Sequence, residues 1–568
     1  RLQVAQQVRQ PNSQSSVQVA QRQVQAARAQ VERSERALRI ALQGSELKPK
    51  PIPNSGGSSH PGRVTAAFAA ASMIDSYFEN DIRARKLSPA PLLDDAAFYR
   101  KASLDLVGTI PEVEDLRSFI TDTTEDKRAK LVERLLADPR MPDYWALTYR
   151  SWILETAPVV GQGSDTVRLF EYLREMFAVD APYDELVKDL LTAEGHNEND
   201  GAVSFPLLWE AKPPELATAT SKLFLGVNLE CAQCHDDTIH GWTQDDFWGL
   251  AAFFTGITSQ FDNQPQDYPR RTKSRLATVQ IPGGLKAIPG ATGEKRALRW
   301  VSDLPVIIPH PTDPKLNRLT GPKPLGDEKM DSIPQGQRRA ELAAWLARGD
   351  NPYFNRAIVN RIWQHFFGRG FAMAPDAFHP DEIIHHQELL DKLARDFSLN
   401  DRSLKHLMHA IAISSVYQLS SEKSPPARDD YSRASPRTLD PNQWFDSLLR
   451  ATGMETRLEV VPPNAERSQE LRWNRENANR KEGPVADVLF EMNSYFPQNW
   501  VSEGLTLKQV LALPPEEQLS ELFWTVLSRA PTDKEIALFQ PSLATGNRQQ
   551  ALEDILWVLF NSTEFLTY

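Results

Sequence analysis

The sequence predicts a mainly α-helical protein. It has two helical modules, a small irregular insertion with short strands between them, and a coiled-coil-like helix at the N-terminus. Three observations predict this. Apolar residues recur at i, i+3 and i+4 through most of the chain, the spacing that lines one face of a helix. The pattern lapses over about residues 258–336, where proline and glycine interrupt short β-type runs. Residues 15–43 carry a seven-residue repeat.

Residues 1–14 are polar and glutamine-rich. From Ser15 to Gln43, Val17, Val24, Val31 and Leu38 recur every seven residues, and Ala20, Ala27, Ser34 and Ala41 fall three later. Such a thin stripe of small residues suits either a helix laid on the protein's own body or a coiled-coil contact with a partner. This stretch holds seven Arg and two Glu in residues 1–43, so it is locally basic. Residues 1–46 are read as this N-terminal unit and 47–62 as a linker dense in Pro, Gly and Ser.

The first helical module is set at 63–257. Helices are expected at Ala66–Arg85, Asp94–Leu106, Glu112–Thr121, Lys127–Ala137, Met141–Thr156, Thr166–Ala178 and Tyr183–Ala193. Pro111 is expected in the first turn of the third of these, and Thr123 or Thr124 as the cap of the fourth. Lys212–Leu225 and Gln244–Thr255 flank the cysteines. The insertion at 258–336 includes Thr278–Ile281 and the run Leu304-Pro305-Val306-Ile307-Ile308. The second module, 337–568, is expected to open with helices at Arg338–Leu346, Phe354–Phe367, His386–Phe397 and Ser403–Ser415. Polar breaks follow at 420–437 and 462–483, then three or four helices over Leu507–Phe565.

The chain has a net charge of −11, which argues against nucleic-acid binding. No run of about 18 apolar residues occurs, so no transmembrane helix is expected. The sequence opens at Arg1 without a signal-type apolar segment, so export is not visible directly.

The chemically specific feature is Cys231-Ala232-Gln233-Cys234-His235. The chain holds two Cys and 11 His. Random placement in this pattern has a chance below about one in ten thousand. A c-type haem explains the spacing. Cys231 and Cys234 would form thioethers to the porphyrin, and His235, on the same helix-like turn, would be the proximal iron ligand. Three rivals stay open: a redox dithiol, which leaves His235 unexplained; a zinc site drawing on His240; and an inert pair. Met176 and His196 are candidates for a sixth ligand, against a vacant or water-bound distal site, and His240 is a candidate neighbour. Trp209, Trp242, Phe247, Trp248, Phe253 and Phe254 surround the motif in sequence; each reads as helix core or as porphyrin packing.

These residues carry a resemblance. FLGVNLECAQCHDDTIHGWTQDDFWGLAAFFTG resembles the core of the planctomycete cytochrome-like domain of the second type. FYRKASLDLVGTIPEVEDLRSFITD and KLVERLLADPRMPDYWALTYRSWIL are similar to its opening helices. RRAELAAWLARGDNPYFNRAIVNRIWQHFFGRGFAMAPDAF is similar to the start of its usual partner, the planctomycete secreted domain of the first type. SLKHLMHAIAISSVYQLSS, YSRASPRTLDPNQWFDSLLRATG and ILWVLFNSTEFL continue the match, which covers about residues 66–568. The resemblance implies an exported bacterial protein of two helical modules and no assigned reaction. The sequence departs from the family after the motif: where many members carry His-Pro or His-Lys, Asp237-Thr238 stands here and His240 comes later.

In the second module, Asn355, Arg356, Asn360, Arg361, Gln364, His365 and Arg369 cluster on one expected helix and its exit. They suit either a polar site for an anionic or sugar ligand, centred on Asn360, Arg361 and His365, or buried groups tying helices together. His385-His386 and the pair His406 and His409 are further metal candidates, the pair without an evident carboxylate partner. No nucleophile elbow, phosphate loop, zinc-protease motif or paired-Glu pattern occurs.

The residues therefore predict one covalent haem c and electron transfer with a redox partner in the periplasm, the cell envelope or beyond. A structural component of an envelope assembly and a haem enzyme with an open distal face are the alternatives.

Overall fold

The computed structural model describes residues 61–157, 164–261, 296–421, 426–454 and 501–568, apart from the single residues 304, 311, 328, 331, 503 and 545. The N-terminal heptad segment, most of the linker, the run Thr278–Ile281 and the break at 462–483 lie outside the described residues.

The protein is mostly helical, as the apolar spacing predicts. The first module runs through Pro61–Ala84, Asp95–Val107, Val113–Thr121, Lys127–Leu136, Arg140–Thr156, Ser164–Ala178 and Tyr183–Thr192. The helix Asp95–Val107 starts where the Asp94 carboxylate accepts the Ala97 N–H and stops where Gly108 turns left-handed at φ 74°. An added Cβ on Gly108 would lie 2.2 Å from the Tyr144 ring, so only glycine fits this close approach.

Two expected helix starts differ. Pro111 lies two residues before Val113, and Glu112 takes the cap position. The turn ahead of it is fixed by Ser103, whose hydroxyl donates to the Thr109 carbonyl at 2.7 Å, so Ile110 is buried and the helix begins later. Neither Thr123 nor Thr124 caps Lys127–Leu136. Asp122 captures the Thr124 N–H at 2.9 Å in its own turn, which leaves Asp126 at the cap position without a side-chain cap bond.

Among the described residues, five short strands make two antiparallel sheets. Strands β1 (Gly195–His196), β3 (Arg296–Trp300) and β2 (Ile257–Phe261) form one in that order, and β4 (Val306–Ile308) pairs with β5 (Arg318–Thr320). The second module follows with Arg338–Leu346, Phe354–Phe367, Gln387–Leu399 and Leu404–Ile413. Pro441–Thr452 is a further helix, absent from the expected set. Its signal is local: Asp440 caps it, Gln443 bonds back to the Asp440 N–H, and Pro441 sits in the first turn. Five helices follow between Leu505 and Leu566, against the three or four expected, because prolines at 514 and 515 and a Thr532 capping box divide the stretch.

One contiguous apolar core joins both modules, from Ile74 to Tyr431. A second gathers Phe445 to Phe565 and reaches Leu104 and Ile110 in the first module. Burying such side chains is worth about 1.5–3 kcal/mol each, so the two modules share one source of stability.

Candidate functional site

The Cys-x-x-Cys-His segment is a surface turn pinned from below. The helix Pro213–Thr220 widens into a single π-type turn, Ser221–Leu225, which ends at Gly226 with φ 66°. Asn228 then accepts the Glu230 N–H at 3.0 Å and starts a 3-10 turn, Glu230–Gln233. Leu229 and Ala232 are fully buried and anchor it, while Cys231 and Cys234 are exposed free thiols. The Cys234 and His235 N–H groups both reach back to the Cys231 carbonyl, at 3.4 and 3.5 Å. From the next helix, Gln244–Ala251, Trp248 donates its indole N–H to the Gln233 carbonyl at 2.9 Å, and the Gln244 backbone N–H bonds to Asp236 at 2.8 Å.

His235 is exposed, and its Nδ1 lies 2.8 Å from the Asp236 carbonyl oxygen. A carbonyl only accepts, so this bond places the ring proton on Nδ1 and leaves the Nε2 lone pair free. A metal-binding histidine is oriented in the same way, by its other ring nitrogen donating to oxygen.

The following residues fold into a second turn. Asp237 accepts the backbone N–H groups of Ile239 and His240 at 2.9 and 3.2 Å, and its other oxygen lies 2.8 Å from His240 Nδ1. Burial pushes the Asp237 carboxyl up, but the His240 hydrogen bond and these two N–H groups outweigh it and hold it below the usual range. The His240 ring stacks on His379 with centroids 3.9 Å apart. Trp242 donates its indole N–H to His379 Nδ1 at 3.0 Å, so His379 keeps its proton on Nε2. Burial, and then the neighbouring His240, hold His379 below the usual imidazole range.

His379 was not among the residues predicted for the site. Tertiary pairing brings it there. Val227 bridges Ala377, and the Phe378 N–H donates to the Gly226 carbonyl at 2.9 Å. A side chain on Gly226 would meet the Phe378 ring at 2.6 Å.

The other predicted residues lie as follows. Trp209, Trp242, Phe247, Phe253 and Phe254 belong to the main core, and Trp248 packs against it; the Trp242 and Trp248 indole N–H groups bond at the loop. Met176 packs against the main core from the helix Ser164–Ala178, and His196 pairs with Ala297 in the sheet.

Asn360, Arg361 and His365 serve three different neighbours. Asn360 accepts the Phe371 and Ala372 N–H groups at 2.7 and 3.2 Å, and Arg361 donates to the Lys222 carbonyl at 3.0 Å. His365 lies against Trp145 and within 3.3 Å of the Tyr144 hydroxyl; burial first holds it below the usual range. Close by, Asp105 is fully buried. It is ion-paired with Arg437 and accepts from the Tyr417 and Tyr568 hydroxyls at 2.7 and 2.8 Å. This network binds the first module to the end of the chain.

His385 donates its backbone N–H to Phe371, and His386 contacts the Asp429 carbonyl at 2.9 Å. His406 does have a carboxylate partner, Asp396 at 2.7 Å, which comes from the preceding helix and not from spacing within its own. Burial, and then His406, lower His409 to about 4. Among the described residues, no group of three or more His, Cys, Asp or Glu side chains could hold a metal ion. Zinc binding by Cys231, Cys234, His235 and His240 together is not the arrangement seen.

Fold and site define a class: a mainly helical two-module chain that presents an exposed Cys-x-x-Cys-His turn from its first module. Residues 73–259 match PSCyt2, described as a protein of unknown function (DUF1549), and residues 338–484 match PSD1, likewise so described (DUF1553). The chain belongs to the two-module planctomycete-type family in which these domains follow in that order. No curated protein and no solved structure matches it.

Proposed function

We propose that the chain is an exported c-type haem protein that exchanges electrons with a partner in the cell envelope. One observation carries the reading. Two unpaired, exposed thiols stand one turn apart, and the adjacent imidazole is held with Nδ1 on oxygen and Nε2 free. Cys231 and Cys234 would hold the porphyrin, and His235 Nε2 would be the proximal ligand. The group, when bound, supplies one-electron chemistry at iron. The protein's own contribution is orientation: buried Leu229 and Ala232, with the Trp248 and Gln244 bonds, keep the turn rigid. Covalent attachment takes place outside the cytoplasmic membrane, which supports a periplasmic or secreted location. No helix among the described residues is long and apolar enough to cross a membrane.

The test is a pyridine haemochrome spectrum of protein produced in a host competent for c-type maturation. A spectrum that is lost in the Cys231→Ser, Cys234→Ser variant supports the reading; a colourless wild-type protein sinks it. Met176 packs against the main core, which favours the open-face haem enzyme as a second reading. Carbon monoxide binding by the ferrous form supports it, and failure to bind rejects it.

A further inference from the structure

The face bearing the Cys-x-x-Cys-His turn is built from two stretches without lysine or arginine. Residues 223–257 hold Glu230, Asp236, Asp237, Asp245 and Asp246, and residues 370–386 hold Asp376, Asp381 and Glu382. Lys222, Arg318 and Lys323 reach in to neutralise Glu230, Asp245 and Asp246, and His240 holds Asp237. Asp236, Asp376, Asp381 and Glu382 have no ion pair among the described residues. Asp376 and Glu382 each stand three residues from His379, the ring that stacks on His240.

Each of the two stretches exposes an isoleucine. Ile239, at 76% exposed, is the most exposed large apolar side chain among the described residues, and Ile383 is 73% exposed. Ile239 tops the turn that Asp237 closes; Ile383 follows the turn in which the Glu382 N–H bonds to the His379 carbonyl at 3.1 Å. The His240–His379 stack joins the two turns. Unpaired carboxylates and the two isoleucines thus lie on the stretch that carries the thiols and on the one that the histidine stack joins to it, where Arg428, bonded to the Ala372 and Met373 carbonyls, is a cation at the edge.

We propose that this face is the docking surface for a basic electron-transfer protein; this rests on the haem reading. Electron exchange needs the partner over the Cys-x-x-Cys-His turn, and the unpaired carboxylates there select a positive face. Apolar contact at Ile239 and Ile383 with a charged rim suits a small, short-lived interface. A second copy paired symmetrically would set these carboxylates against themselves, and an anionic membrane would be repelled.

The test measures association with a soluble, strongly basic cytochrome c by calorimetry at low and at physiological ionic strength. The full chain is used, and haem content is read on the same preparation. Association that weakens with salt is expected. The variant Asp236→Asn, Asp376→Asn, Asp381→Asn, Glu382→Gln should weaken it about tenfold or more. Asparagine at 236 keeps the acceptor that Gln244 uses, so the loop is preserved. Ile239→Ser with Ile383→Ser should weaken it several-fold, and Glu516→Gln with Glu517→Gln, in the first turn of the helix Pro515–Leu527, should not.

Haem present with carboxylate-independent association would sink the docking assignment and leave the haem. Carboxylate-dependent association without haem would sink electron transfer and leave a face for a basic protein. No salt-sensitive association with this probe at low ionic strength overturns the proposal. So does association that emerges only after removal of residues 1–46, since the chain's own basic segment would then be the occupant.

Discussion

Replacing Gly226 with alanine tests how the site is held together. Gly226 has φ 66°, and its added Cβ would lie 2.6 Å from Phe378 Cδ2 and 3.1 Å from the Pro375 carbonyl oxygen. The left-handed backbone costs an alanine about 1–2 kcal/mol. The forced shift of a packed ring adds about 1–3 kcal/mol. Gly226→Ala should therefore destabilise the fold by about 2–5 kcal/mol. Gly241 is the internal control. It has φ 77° and nothing within 4 Å of an added Cβ, so Gly241→Ala should cost the backbone term alone, about 1–2 kcal/mol. Urea unfolding midpoints, followed by tryptophan fluorescence, give both values. Displacing Phe378 should also move His379 away from Trp242 and change the indole environment in the native state of the Gly226 variant only. Equal losses in the two variants, within about 0.5 kcal/mol, would refute the claim that the Gly226–Phe378 contact positions His379.

Three further outcomes follow from the buried groups. Asp105→Ala should cost about 3–5 kcal/mol in urea unfolding, because Arg437 is left buried and unpaired; Asp105→Asn, which keeps an acceptor for the tyrosines, should cost less. Burial lowers the Lys101 ammonium to about 7, with Asp105 opposing that fall and Arg437 and Arg369 adding to it. Between pH 7 and the ordinary lysine range the unfolded chain holds a proton that the folded chain lacks, so stability from this group rises with pH, by up to about 1.4 kcal/mol per unit. Lys101→Met should flatten that rise and gain more stability at pH 6 than at pH 9 in parallel denaturation series. Asp237→Ala should cost about 1–3 kcal/mol, since the Ile239 and His240 N–H groups lose their acceptor, and should broaden the histidine ring signals in proton NMR.

Most helices were legible because their apolar periodicity is local. Pro441–Thr452 was missed although its apolar residues Phe445, Leu448 and Leu449 are spaced for a helix; the firmer signal was the Asp440–Gln443 capping box. Thr124 was misread as a cap because the competing bond from Asp122 cannot be weighed by sequence spacing. The motif at 231–235 was legible because its chemistry needs only five consecutive residues. His379 was not, because it meets Trp242 across 137 residues, through a pairing of backbone at Gly226 and Phe378 that no local pattern encodes. Likewise Asp396 meets His406 from a neighbouring helix.

The most direct test is the mass of the proteolytic peptide spanning Cys231 to His235 from protein matured with c-type haem supply. This peptide should carry one porphyrin through both sulfurs. Recovery of the same peptide with two free thiols, or with the sulfurs joined to each other, would contradict it.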